Sequence, residues 1–358
     1  MKKFLGFLII TFFVSLNLSW AQSLTAAQKN EIDALANEFM QTSQVPGMAI
    51  GLVKNNQLLL TKGYGWADVE QQVGVDPAQT KFRIASISKT LTADALIQLV
   101  EAGKLNLDAP VQNYVSSFPK KKWPITTRMV AGHLGGIRHY RGDEFLSSKY
   151  YTTISQGLEI FRNDSLLFEP GTKFSYSSYG YNLISAVIEG AAGMDYLSNM
   201  QLNIFDKLSM ENTVPDINNQ IISHRGRYYQ REENGIEHAP YVDNSYKWAG
   251  GGFLSTVDDI LIFAMAHTNS EYLSENSLQA LFTSQKTKDG KETNYGLGWA
   301  SGTDKQDLYW HGHSGGAIGG TSKLLIYPKE QIIIVVLTNL SDARLGDFPH
   351  QLRWLMMK

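Results

Sequence analysis

The sequence predicts an α/β (α+β) fold of two lobes, and three observations carry that expectation. A helix and two strands open the chain, several strands and a helix close it, and the stretch between Ile84 and about His267 is mostly helical with long loops. One antiparallel sheet built from both termini, flanked by the terminal helices and joined to an all-helical lobe, accommodates all three. At 358 residues and 43% hydrophobic content, the chain can bury a large core. The expected organisation is a leader over 1–21 and a single domain over 22–358. The α/β lobe would take about 22–83 and 270–358, and the helical lobe about 84–269.

Taken in order, the first residues have a basic start, an apolar run from Phe4 to Leu16 and a small-x-small site at Ser19-Trp20-Ala21. That is the pattern of a secretory signal peptide cleaved after Ala21, and the run is short for a membrane span. Thr25 to Gln41 reads as an amphipathic helix, with Thr25 and Gln28 offering a capping box and Ile32, Leu35, Ala36, Phe39 and Met40 forming one stripe. Met48–Lys54, Asn55-Asn56 and Gln57–Lys62 follow a β-hairpin pattern. The next helix spans 83–105, with Gly103 and Lys104 as its stop. Leu158–Leu167, Tyr179–Ala192 and Thr256–Ala266 have the apolar spacing of core helices. Tyr295–Ala300, Asp307–His311, Thr321–Tyr327 and Ile332–Leu337 read as strands, with a turn at Pro328–Gln331 and a closing helix over Leu345–Met356.

Composition narrows the function classes. The net charge of −2 and the lack of long basic runs give no nucleic-acid footprint, and Lys120-Lys121-Lys122 reads as a solvated loop. Without cysteine there is no disulfide, thiol nucleophile or lipidated cysteine. A soluble, exported protein without a stable membrane span after leader removal is the expected form, periplasmic or secreted.

Ser86 and Lys89 lie three residues apart near the start of the 83–105 helix, on one face of a turn. A serine there sits beside backbone N–H groups suited to an anion. A lysine one turn on can take the hydroxyl proton if burial or nearby positive charge lowers its pKa. This is the S-x-x-K pattern of a Ser-Lys acyl-transfer nucleophile. A second match, Ser117 to Lys120, contains Pro119 and is followed by Trp123-Pro124, which argue against a helix. The plain reading of a lone S-x-x-K is a polar helix start, so the other motifs matter.

Tyr176, in the run 174–180, could relay a leaving-group proton if nearby cations lowered its pKa, or could simply be a packed aromatic. In Trp310–Gly316, small residues after His313 would let a strand edge approach a substrate. The N–H groups of Gly316 and Ser86 could then form an oxyanion hole. The same stretch fits G-x-S-x-G, although that elbow needs a following helix and 317–337 reads as strands. His311 and His313 share a strand face as a zinc pair would, but no third ligand motif accompanies them. The glycine triplet Gly250–Gly252 is either a corner or a wall of a substrate cleft.

In order, RIASISKT, YSS and HSGG resemble the serine β-lactamase and penicillin-binding-protein superfamily, particularly its class C, D-aminopeptidase and esterase branch. The likeness runs from about Pro46 to Asn339. HLGGIRHY, GTKFSYSSYGY and PYVDNSYKWAGGGFLSTVDD further resemble the mitochondrial serine β-lactamase-like proteins and their bacterial relatives. The resemblance implies a β-lactamase/transpeptidase-like fold with Ser86 as acylated nucleophile, Lys89 as proton acceptor and Tyr176 as partner base and acid. His313 would stand where penicillin-binding enzymes place a lysine, with Ser178, Ser314 and Gly315 at the substrate. Ser178 replaces the asparagine of Y-x-N, and His313 offers only a weakened countercharge to a carboxylate.

The function so implied is an exported serine hydrolase working through an acyl-enzyme on amide, peptide or ester substrates, without metal or organic cofactor. Its partners would be a small-molecule or peptide substrate, with peptidoglycan fragments one source, and further copies of itself in a homo-oligomer. The alternatives are a true β-lactamase or D,D-peptidase, and a catalytically weak binding or filament-forming scaffold, since the mitochondrial relatives are associated with filaments.

Overall fold

The computed structural model describes residues 23–358, so the expected leader lies outside the described residues. A seven-stranded antiparallel sheet runs in the order β3-β2-β1-β12-β11-β10-β9. Its strands are β1 (Gly47–Lys54), β2 (Gln57–Asp68), β3 (Val73–Gly74), β9 (Ala300–Thr303), β10 (Tyr309–Ala317), β11 (Gly320–Tyr327) and β12 (Ile332–Thr338). The central β1–β12 pair joins the two ends of the chain, with Ile50 opposite Val336. Asn55 and Asn56 both adopt positive φ at the β1–β2 turn, a conformation asparagine tolerates better than most residues.

β12 is buried on both faces, and its alternation assigns each side chain to a layer. Ile333, Val335 and Leu337 face the core shared with the helical segment. Ile332, Ile334 and Val336 face the core under the terminal helices α1 (Ala26–Ser43) and α5 (Phe348–Met357). Burying each such side chain contributes about 2 kcal/mol, so this strand is the spine of the sandwich. The capping box forms as expected: Thr25 Oγ1 accepts from the Gln28 amide, and the Gln28 side chain accepts from Thr25 N–H.

On the other side of the sheet lie α2 (Ser88–Glu101), α3 (Ser178–Ala192) and α4 (Val257–Met265). α4 packs directly on β1 and β12, although it falls within the stretch expected to form the separate helical lobe. That stretch is not all-helical either. β4 (Phe82–Arg83), β8 (Phe253–Ser255) and β5 (Val214–Pro215) make a small sheet, and β6 (Tyr229–Glu232) pairs with β7 (Gly235–His238).

Two local expectations fail for identifiable reasons. The helix expected over Leu158–Leu167 instead ends at Leu158. Beyond it, the carbonyls of Ile160, Arg162 and Asp164 accept from the side chains of Arg138 and Lys121 rather than from a continuing helix. The expected strand at Tyr295–Ala300 folds into a turn closed by Gly296 N–H to Trp299 O at 2.8 Å, and pairing begins at Ala300. Gly298, at φ +80, makes that turn. A Cβ there would sit 2.8 Å from Lys89 O and 2.6 Å from the Ala93 side chain, so the segment lies directly against α2.

Candidate active site

Ser86 lies on a one-turn 3₁₀ segment, Ala85–Ile87, that leads into α2. From Lys81 to Ile97 it is the one residue that is not buried. The preceding Ala85 is buried and held at φ +48, a left-handed conformation that costs a non-glycine residue about 1–3 kcal/mol. Neighbours hold the turn in place. Ser322 Oγ of β11 donates to Ile84 O at 2.7 Å, and Gly315 of β10 packs against Ile84 O and the Ala85 methyl.

Lys89 is completely buried beneath the serine. Its Nζ stands 3.0 Å from Ser86 Oγ and 3.2 Å from Ser178 Oγ, and it also donates to Gly250 O. Burial first, and then the nearby positive charge of Lys247, pull its pKa well below the ordinary lysine range. The consequence is an amine that gives up its proton more readily than an ordinary lysine, adjacent to a hydroxyl. Gly250, from the glycine triplet, lies in the single helical turn Trp248–Gly251, and its carbonyl contacts Lys89 of the Ser-Lys pair.

Tyr176 is half-buried above the lysine, with its ring centroid 4.9 Å from Lys89 Nζ, and its hydroxyl interacts with those of Ser86 and Ser178. Its pKa runs opposite to the sequence expectation. Burial raises it far above 10, and the hydrogen bonds with Ser86 and Ser178 only partly oppose that rise. Burial thus favours the neutral phenol of Tyr176 over the phenolate.

His313 differs from a lysine substitute in the same way. Its Nδ1–H donates to Ser314 O at 2.6 Å, leaving Nε2 to accept from Tyr295 OH at 2.9 Å. Burial, with Lys89 next, lowers its pKa to about 3. It is a neutral, fully hydrogen-bonded wall. Ser314 is exposed and accepts from Lys323 Nζ at 2.9 Å. It lies inside a strand that turns directly into β11, so the nucleophile-elbow reading of 312–316 is overturned. His311 stacks on Phe282 at 3.8 Å, away from His313's partners, and no cluster of three or more metal-binding side chains occurs among the described residues.

These residues border one cleft of about 570 Å³. Ser86, Tyr176, Ser178, His313, Ser314 and Gly316 line it, joined by His139, Tyr140, Phe145, Lys247 and Tyr295. Gly315 does not line it. It faces the 3₁₀ turn, so its role is close packing rather than substrate contact. β9 pairs with β10 only as far as Gly312. The two-residue β10–β11 turn makes Ala317–Gly320 a hydrogen-bonded pair, so by alternation the Gly316 amide points to the edge β9 leaves open.

Several of these neighbours were not identified from sequence. His133 packs 4.3 Å from the Tyr176 ring and accepts the Ser177 N–H at Nδ1. His139 Nδ1 accepts the Ser178 N–H at 3.2 Å. Both lie in HLGGIRHY, and Lys247 lies in PYVDNSYKWAGGG. Those strings were the available signal, but nothing in them showed which side chains turn inward.

The beta-lactamase family description matches residues 32–353. The chain belongs to the beta-lactamase family. As a beta-lactamase family member it is 33% identical to the human "Serine beta-lactamase-like protein LACTB, mitochondrial" over 381 residues, covering 80% of this chain and 69% of that protein. It also superposes on an octameric penicillin-binding protein homologue from Pyrococcus abyssi with a TM-score of 0.75 at 25% identity, covering 88% of this chain and 74% of the other. EstCE1, a hydrolase with promiscuous acyltransferase activity, shares the fold at TM-score 0.77 and 19% identity, over 93% of this chain and 99% of its own. The family and its neighbours are serine hydrolases and penicillin-binding-protein-like proteins. Among the described residues no helix is long and apolar enough to cross a membrane.

Proposed function

We propose that the protein is an exported serine hydrolase that cleaves esters or amides through an acyl-enzyme on Ser86. The observation that carries this reading is the 3.0 Å contact between Ser86 Oγ and a buried Lys89 whose pKa is strongly lowered. As Ser86 Oγ attacks the carbonyl carbon, its proton passes to neutral Lys89, and the carbonyl oxygen becomes an oxyanion facing the amides of Ser86 and Gly316. Collapse of the tetrahedral centre breaks the bond to the leaving group, which takes a proton from Tyr176 OH. Lys89 reprotonates Tyr176 through the Ser178 hydroxyl, because Ser86 Oγ is then held in the ester. Water then cleaves the ester in the reverse sense, returning the acid and free Ser86.

The reading includes removal of residues 1–21, a single catalytic domain over 22–358 and a periplasmic or secreted location, resting on the leader pattern. β-Lactamase or D,D-peptidase activity is less favoured, because neutral His313 supplies no fixed charge on β10, the strand where penicillin-binding enzymes place a lysine. Parallel kinetics on a p-nitrophenyl ester and a p-nitroanilide of the same acid test the assignment. Ser86→Ala should abolish turnover of both. Tyr176→Phe should slow the anilide by about 10²–10⁴-fold and the ester much less, because nitrophenolate departs without a proton. Wild-type rates from Ser86→Ala would overturn the reading.

A further inference from the structure

The charged groups of the cleft are unevenly matched. No aspartate or glutamate lines it. His313 has both ring nitrogens occupied, and Lys89 is engaged by three partners beneath the nucleophile. Lys247 is different. It is 3% exposed, lines the cleft, and carries its ammonium among three aromatic faces: Phe145 at 4.2 Å, Tyr246 at 5.2 Å and Tyr140 at 5.5 Å. Among the described residues it has no hydrogen-bonding or ion-pairing partner for Nζ. Asp216, the acid whose charge acts on it, is already taken, receiving Arg83 Nε at 2.8 Å and Asn244 Nδ2 at 2.7 Å. Glu144, in the loop that supplies Phe145, is committed to Arg138 and Tyr179.

We propose that Lys247 is the anion anchor of this cleft, and that the natural substrates are esters or amides bearing a free carboxylate. The aromatic faces position the ammonium without neutralising it, leaving its N–H donors for a ligand. Burial lowers the Lys247 pKa to about 7, Arg83 acts in the same direction and Asp216 opposes them. A bound carboxylate would supply the missing countercharge, restore the proton and form a charge-assisted bond. The recognition charge thus sits beside the rings of Tyr140, Phe145 and Tyr246, not on the strand that carries His313.

The inference rests on the hydrolase reading for its substrates, and the experiment separates the two. Two matched pairs are assayed: p-nitrophenyl hemisuccinate against its methyl ester, with the acid on the acyl side, and 4-acetoxybenzoate against its methyl ester, with the acid on the leaving side. The acid form should be preferred in at least one pair by about 10- to 100-fold in kcat/KM, mainly through KM. Lys247→Met should collapse that ratio towards one, and Lys247→Arg should keep part of it, with circular dichroism confirming that both variants are folded. No preference in either pair, or a preference that survives Lys247→Met, overturns the proposal. If no ester is turned over, the hydrolase reading fails, and calorimetry with monomethyl succinate and benzoate on Ser86→Ala decides the anchor. Binding lost on adding Lys247→Met supports it, and absence of binding overturns it.

Discussion

Gly315→Ala is the sharpest structural perturbation of the Ser86 turn. An alanine Cβ would lie 2.2 Å from Ser322 Oγ, 2.5 Å from Ile84 O and 3.0 Å from the Ala85 methyl. The Ile84 contact is to backbone, so restoring ordinary van der Waals separation requires β10 and the 3₁₀ turn to part by about 1 Å. Overpacking of this kind costs about 1–3 kcal/mol. Loss of the buried Ser322–Ile84 hydrogen bond adds about 1 kcal/mol, giving about 2–4 kcal/mol in all. A displacement of that size between Ser86 and the Gly316 amide should lower acylation by about 100-fold. Chemical denaturation measures the first effect and single-turnover ester cleavage the second. Adding Ser322→Ala removes one clash but leaves the carbonyl, so the double variant should recover only part of the stability. A Gly315→Ala protein of wild-type stability and acylation rate would refute the packing argument.

Two further outcomes follow from buried charge. With a neutral ester, kcat/KM should rise with pH as Lys89 loses its proton, and Lys247→Met should move that rise to higher pH. The sign follows because the Lys247 charge helps hold the Lys89 pKa down, so a pH–rate profile that stays in place or moves to lower pH contradicts the coupling. Elsewhere, His267 Nε2 meets Asp94 at 3.0 Å in a fully buried pair between α2 and the end of α4. His267→Leu should cost about 3–5 kcal/mol in a denaturant titration, and Asp94→Leu in the same background should return part of it, whereas additive losses would argue against a paired site.

The readable features were those set locally. The Thr25 cap, the Asn55-Asn56 turn, the strongly apolar β12 and the Ser86/Lys89 spacing each depend on a few neighbouring residues. The failures came from distant partners. Lys121 and Arg138 claim carbonyls beyond Leu158, and Gly298 bends a strand-like run against α2. At the site, residue types indicated a Ser-Lys pair, but protonation depended on burial that no motif encodes. Burial favours the neutral forms of the Tyr176 phenol and of the His313 ring, whose two nitrogens are both hydrogen-bonded. Lys247 could not be singled out because its aromatic cage combines the 140–145 loop with residues a hundred positions later.

The central claim, that Ser86 is a nucleophile activated by a neutral Lys89, is tested most directly by intact-mass spectrometry after exposure to a fluorophosphonate probe. Wild-type protein should gain one adduct, Lys89→Met should gain it far more slowly, and Ser86→Ala should gain none. An adduct that persists on Ser86→Ala would contradict the claim and move the nucleophile elsewhere, with Ser314 the first residue to examine.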